Sequence, residues 1–129
     1  HRWVQSVDVA TSEFDTYPTS AKWRLSVVKE ASAYLPTVAA MMDEAVASFE
    51  PDAVVYNAGM DPHEGCDMGG LEGVTTEMLH RRDRMVFQRF SAVPVAWVLA
   101  GGYTGRRMTD RLLTDLHVGT ALAALSVSG

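Results

Sequence analysis

The spacing of hydrophobic positions changes several times along the chain, and each change marks an expected element. The run Trp3-Val4-Gln5-Ser6-Val7-Asp8-Val9 has the pattern of a strand already in mid-fold, in a chain whose first residue is His1 rather than Met. A fragment of a longer protein is therefore expected. Thr11 to Ser20, with Pro18 and several hydroxyl side chains, predicts a connection. A helix is expected from near Ala21. Pro36 would remove a backbone bond from a helix interior, so a second helical segment is expected to open on it. In that segment Val38, Met41, Met42, Ala45, Val46 and Phe49 recur at three- and four-residue steps. They form the apolar stripe of an amphipathic helix, with the methionines in the core.

Pro51-Asp52 stops this helix, and Ala53-Val54-Val55-Tyr56-Asn57 follows as a short apolar strand of the kind found inside a covered parallel sheet. A glycine-rich loop runs from Ala58 to Gly73. Thr75 can cap the next helix, Glu77 suits the positive end of its dipole, and Met78, Leu79, Met85, Val86 and Phe90 supply its buried face. A second buried strand, Val95 to Leu99, leads into Ala100-Gly101-Gly102-Tyr103-Thr104-Gly105. The last helix carries Met108, Leu112, Leu113, Leu116 and Leu122 towards the core. Alternating strands and helices call for parallel strands joined by right-handed crossovers. The C-terminal ends of two such strands lie on one rim of the sheet, where open α/β sheets bind ligands. Asp61 and Tyr103, each a few residues past a strand, are expected on that rim.

At 129 residues the chain fits one domain, residues 1–129. With 47% hydrophobic and 21% charged residues it has the composition of a folded protein. A net charge of −5 disfavours a general nucleic-acid binder, and the basic cluster Arg81, Arg82 and Arg84, interrupted by Asp83, reads as a solvated helix face. The single Cys66 excludes an internal disulfide and fits a reducing compartment, hence a cytoplasmic location. The longest apolar run, Val93 to Ala100, is less than half of a bilayer span, so no membrane partner is expected.

An aspartate after a strand is more often a turn residue than a ligand, and a tyrosine in a glycine turn is commonly structural. Together, however, Pro51-Asp52, Ala58-Gly59-Met60-Asp61, Gly69, Arg82-Asp83 and Ala100-Gly101-Gly102-Tyr103 occur in one order with a helix between them. This combination resembles the C-terminal portion of the histone deacetylase, acetoin-utilisation and acetylpolyamine amidohydrolase family, which has the arginase/deacetylase fold. The resemblance is clearest over residues 51 to 105. It implies an α/β, three-layer architecture: a mainly parallel sheet flanked by helices, here a partial arginase/deacetylase fold. It also implies zinc-dependent hydrolysis of acetyl-amide bonds. Asp61 corresponds to the second carboxylate ligand of the zinc, or of another divalent ion, and Tyr103 to the donor that stabilises the oxyanion. Gly101, Gly102 and His63 become substrate-loop candidates, with His63 lining the entrance or facing solvent. The implied substrate is an acetylated amine, such as acetyl-lysine or an acetylated polyamine.

The chain departs from the family pattern at Cys66, where an acidic residue is usual and where the adjacent Asp67 is a candidate substitute, and at Ala100, where a third glycine is usual. The family's Asp-x-His ligands and adjacent histidine pair lie N-terminal to the portion seen here. Of the two Asp-x-His triplets present, Asp115-Leu116-His117 is expected on a helix, where residues two apart face different sides. His80 is expected on an exposed face, and His1 as a terminal remnant. The isolated chain is expected to be inactive and to expose a sheet edge, seeking a missing N-terminal segment or a second copy. The alternative is a non-catalytic remnant of the same fold serving as a binding or assembly module. A nucleotide-binding domain ranks last, because the chain lacks both the Gly-x-Gly-x-x-Gly spacing and the phosphate-binding lysine motif.

Overall fold

A computed structural model describes residues 3–127. The elements are β1 (Ser6–Ala10), a short 3-10 helix (Glu13–Asp15), β2 (Trp23–Val27), α1 (Ala31–Ser48), β3 (Val54–Gly59), α2 (Thr76–Arg89), β4 (Val95–Ala100) and α3 (Asp110–Val127). The fold is α/β, with parallel strands flanked by helices. β1 pairs in parallel with β2, and β3 with β4, as two separate two-stranded sheets among the described residues. In the second sheet Val54 lies opposite Val95 and Gly59 opposite Ala100, so both strands end at the same rim. No helix among the described residues is long and apolar enough to cross a membrane.

The N-terminal third differs most from expectation. The first strand begins at Ser6, with Trp3 in a turn, and His1 lies outside the described residues. The segment after Ala21 is the strand β2 rather than a helix. Trp23, Leu25 and Val27 alternate with Arg24 and Ser26, a period of two, and the whole segment pairs in register with β1 from Ser6–Trp23 to Ala10–Val27. One helix, not two, follows, and Pro36 sits inside it. Its missing N–H leaves the Ser32 carbonyl without the usual i+4 donor, a cost of about 3 kcal/mol that the buried packing of α1 offsets. The deepest contacts of α1 come from Tyr34, Leu35 and Val38, with Met42 packed partly against the same core.

That core gathers Val28, the three α1 residues, Met60, Cys66, Val74, Leu79, Met108 and Leu116 directly beneath the rim. Thr75 caps α2 as expected, its hydroxyl accepting from the Met78 N–H at 3.3 Å. Residues 79, 82, 83, 86 and 87 form the buried face of this helix. Phe87 meets Tyr56 and Trp97 edge-on, with ring centroids 5.8 and 5.4 Å apart, and so fastens α2 to one face of the β3–β4 pair. In α3 the buried positions are Leu116, Thr120, Ala123 and Ala124. Leu122 points outward and is 60% exposed, because the core-facing stripe of α3 continues from Leu116 through 120 and 123 and leaves 122 on the far side.

Candidate functional site

Asp61 follows β3 by two residues and Tyr103 follows β4 by three, and the parallel pairing brings both to one rim. The Met60 N–H donates to the Ala100 carbonyl at 3.0 Å, extending the ladder one step past β3. The next residue turns its carboxylate towards β4, where Oδ1 of Asp61 accepts from the Gly102 N–H at 3.1 Å. Tyr103 is therefore one residue from the group that holds the aspartate, and its side chain is 59% exposed.

Two glycines make this turn feasible. Gly101 has φ +57, and a Cβ there would stand 1.7 Å from the Asp61 carboxylate. Gly102 has φ +76, and a Cβ there would stand 2.6 Å from Leu113 and 2.7 Å from Met60. Both need the left-handed region and neither has room for a side chain. These positions wrap the carboxylate. A third chain end reaches the same rim: the Thr11 hydroxyl, just past β1, donates to the Gly69 carbonyl at 2.6 Å. Gly69 in turn packs beside Asp61.

The loop between β3 and α2 is densely bonded. His63 is buried rather than lining an entrance or facing solvent. Its Nδ1 accepts from the Gly65 N–H at 2.9 Å, and its Nε2 lies 3.0 Å from the Thr76 hydroxyl. Both ring nitrogens are engaged within the fold, and burial lowers its pKa against the opposing pull of Glu64. His63 is thus a staple between the loop and the start of α2. Cys66 is buried in the core with its sulfur 3.3 Å from the Met68 carbonyl, as a small hydrophobe would be. Asp67 is exposed, 3.9 Å from Arg107.

Behind the rim lies a polar cluster that the reading of Arg81, Arg82 and Arg84 as a solvated face missed. Arg81 and Arg84 are exposed, but Arg82 is 5% exposed and Asp83 0%. Arg82 Nε and Nη2 meet Asp83 Oδ1 at 2.9 and 2.7 Å. The same oxygen accepts from the Tyr56 hydroxyl at 2.5 Å, and Oδ2 accepts from Thr120 at 2.6 Å. Arg82 Nη1 donates to the Gly59 carbonyl at 2.6 Å and to the Tyr34 hydroxyl at 3.3 Å. Burial, reinforced by the Asp83 charge and opposed by Arg82, raises the Tyr56 pKa well above its ordinary value. The signal was present in the sequence: 82 and 83 fall at the i+3 and i+4 positions of the stripe that starts at Leu79 and continues through Val86 and Phe87.

Of the described residues, His80 and His117 do not join the rim. His80 is half-buried rather than exposed, its Nε2 without a hydrogen-bond partner and crowded against Gly119 of α3. His117 is half-buried with an unpartnered Nδ1, and burial lowers its pKa. Asp115 instead approaches Arg111 at 4.0 Å across the exposed side of α3. Two shallow clefts lie elsewhere, one lined by Phe87, Phe90, Pro94 and Trp97, the other by His80, Arg84 and Leu122; neither includes Asp61 or Tyr103. Asp61 suits a divalent ion as one oxygen donor. Among the described residues, however, no three His, Cys, Asp or Glu side chains gather to hold a metal, so this chain's own donor set does not amount to a zinc site.

A family model described as "Histone deacetylase domain" matches residues 12–118. An uncharacterized protein of Picosynechococcus sp. is 39% identical over 72 residues, covering 54% of this chain and 24% of that protein. The chain thus matches about a quarter of the length of that curated relative.

Proposed function

The chain belongs to the histone deacetylase family, and on that premise we propose that it forms the C-terminal part of a catalytic domain that hydrolyses acetyl-amide bonds. In this reading residues 1–129 act as one domain, Asp61 contributes one carboxylate to a divalent-metal site, and Tyr103 donates to the developing oxyanion. The carrying observation is the 3.1 Å bond from the Gly102 N–H to Asp61, which sets the carboxylate beside the residue preceding Tyr103.

The division of labour follows from the chemistry. Zinc, or another divalent ion, supplies Lewis acidity for the acetyl carbonyl and for an attacking water when bound. A catalytic zinc takes about three protein ligands, so the further donors must come from a segment outside these residues. What this chain adds is direction. Asp61 is aimed by a backbone amide, and the exposed Tyr103 phenol can reach an oxygen that becomes negative when water adds to the acetyl carbon. One such donor stabilises the transition state by about 3–4 kcal/mol. The proposed substrate is an acetylated amine, acetyl-lysine or an acetylated polyamine, and the proposed setting is the cytoplasm. The missing segment, or failing that a second copy, is the proposed partner for the open strand edges. An isolated 129-residue chain that sediments as a clean monomer would contradict this pairing.

The test uses the full-length protein, an acetyl-lysine peptide and an acetylated polyamine. Tyr103→Phe should lower kcat about 100- to 1,000-fold while leaving zinc content unchanged. Asp61→Asn should lower zinc content. A parent protein without zinc, together with a Tyr103→Phe variant as active as the parent, would refute the assignment. The second reading, a non-catalytic remnant used for binding or assembly, draws on the incomplete donor set among the described residues. It predicts that the full-length protein neither retains zinc nor cleaves either substrate.

A further inference from the structure

We propose that the buried Arg82–Asp83 pair is a positioning device for the rim: it fixes the end of β3 through the Gly59 carbonyl and thereby aims the Asp61 carboxylate. Val54 and Met60 both donate to β4, so in the alternation of a parallel ladder the even-numbered residues of β3 bond to β4. The odd-numbered residues turn their peptide groups to the open edge. Gly59 is the last of these, and its carbonyl is taken by Arg82 Nη1 at 2.6 Å, a charge-assisted bond. Asp61 is therefore held from two directions. Two residues upstream the chain is fixed by Arg82, and the carboxylate itself is fixed by Gly102.

The guanidinium is in turn over-determined. Asp83 holds Nε and Nη2, the Tyr34 hydroxyl takes part of Nη1, and the Met60 sulfur lies 3.9 Å from Nη2. Asp83 is pinned by hydroxyls from β3 and α3, through Tyr56 and Thr120. Elements α1, β3, α2 and α3 thus converge on one planar group whose outward contact is the carbonyl just before the Asp61 turn. Stability alone is a poor account of such a pair, because apolar replacements of buried ion pairs are often neutral or stabilising. A fixed direction for the chain leaving β3 is what an apolar pair would not supply.

The expected effect on turnover rests on the proposed role of Asp61, whereas the effect on backbone order does not. The experiment compares the full-length parent with Arg82→Met/Asp83→Leu and with Arg82→Lys. Amide exchange by NMR should show the bonded amides of Gly102 and Met60 exchanging about 10- to 100-fold faster in the double variant, with the α2 amides as protected as in the parent. Its kcat for an acetyl-lysine peptide should fall by a similar factor with KM little changed, since ground-state binding is not altered. Arg82→Lys, which can still reach one acceptor, should recover part of both. Unchanged exchange at Gly102 and Met60 in a folded double variant overturns the inference whatever the activity. A double variant that does not fold shifts the decision to Arg82→Lys: exchange there identical to the parent overturns it too. Faster exchange at the rim in an enzyme whose parent shows no deacetylation supports the positioning role and counts against the proposed function alone.

Discussion

The two faces of the β3–β4 pair have similar sequences and opposite environments. On one face Tyr56 and Ala58, with Trp97 opposite, meet α2, and Phe87 locks between the two rings. On the other face Val55, Asn57, Ala96 and Val98 are all exposed, Val55 to 78%. An unbroken apolar run declares that both faces favour cover, and it says nothing about which element provides it. Within this chain α2 and α3 cover one side. The exposed side is the part of the fold whose sequence asks for more than these residues deliver.

Deleting core volume on the covered side should be the most damaging way to sharpen this contrast. Leu79→Ala, at a position with no solvent exposure, should cost about 2–5 kcal/mol in urea unfolding followed by circular dichroism. A smaller loss is expected at the rim, where Gly102→Ala must adopt φ +76 and push against Met60. A cost of about 1–3 kcal/mol by the same measurement fits that strain. The third effect is a pH slope. Burial holds the His117 pKa below its ordinary value, with Asp83 opposing and Arg82 reinforcing the shift. The unfolded chain therefore takes up the proton first as pH falls. The stabilising contribution is complete above about pH 6.5 and declines below it. Between about pH 7.5 and about pH 5.5 the urea midpoint should drop, and His117→Asn should flatten that drop; an unchanged slope would remove His117 from the account. The smallest effect belongs to the bare face. Val55→Ser should shift stability by less than about 0.5 kcal/mol while reducing any self-association seen by sedimentation, and a core-like loss would show that this face is covered after all.

Legibility from sequence tracked how local each signal was. β3, α2, β4 and α3 were readable because period, cap and turn signals agreed, and the shared rim of Asp61 and Tyr103 followed from parallel pairing. Sequence alone places a helix where β2 stands because an alternation over five residues is too short to decide, and pairing with β1 settles it. Pro36 misled in the other direction: its penalty is local, and the packing of Tyr34, Leu35 and Val38 outweighs it. The buried Arg82–Asp83 pair was obscured because charged residues are presumed solvated, although its helical phase with Leu79 and Val86 contradicted that presumption. Loop position alone points His63 outward, whereas bonds to Gly65 and Thr76 turn it inward.

The group bonded to the Asp61 carboxylate itself is a main-chain amide, so that contact is not tied to the identity of a side chain at 102. Proline is the sole replacement at 102 that would erase the donor itself; other replacements keep the donor and fail for want of space. What position 102 has to keep is thus a void rather than a functional group. Side chains around this corner other than those of Arg82 and Asp83 could change while the aspartate continued to face the same way.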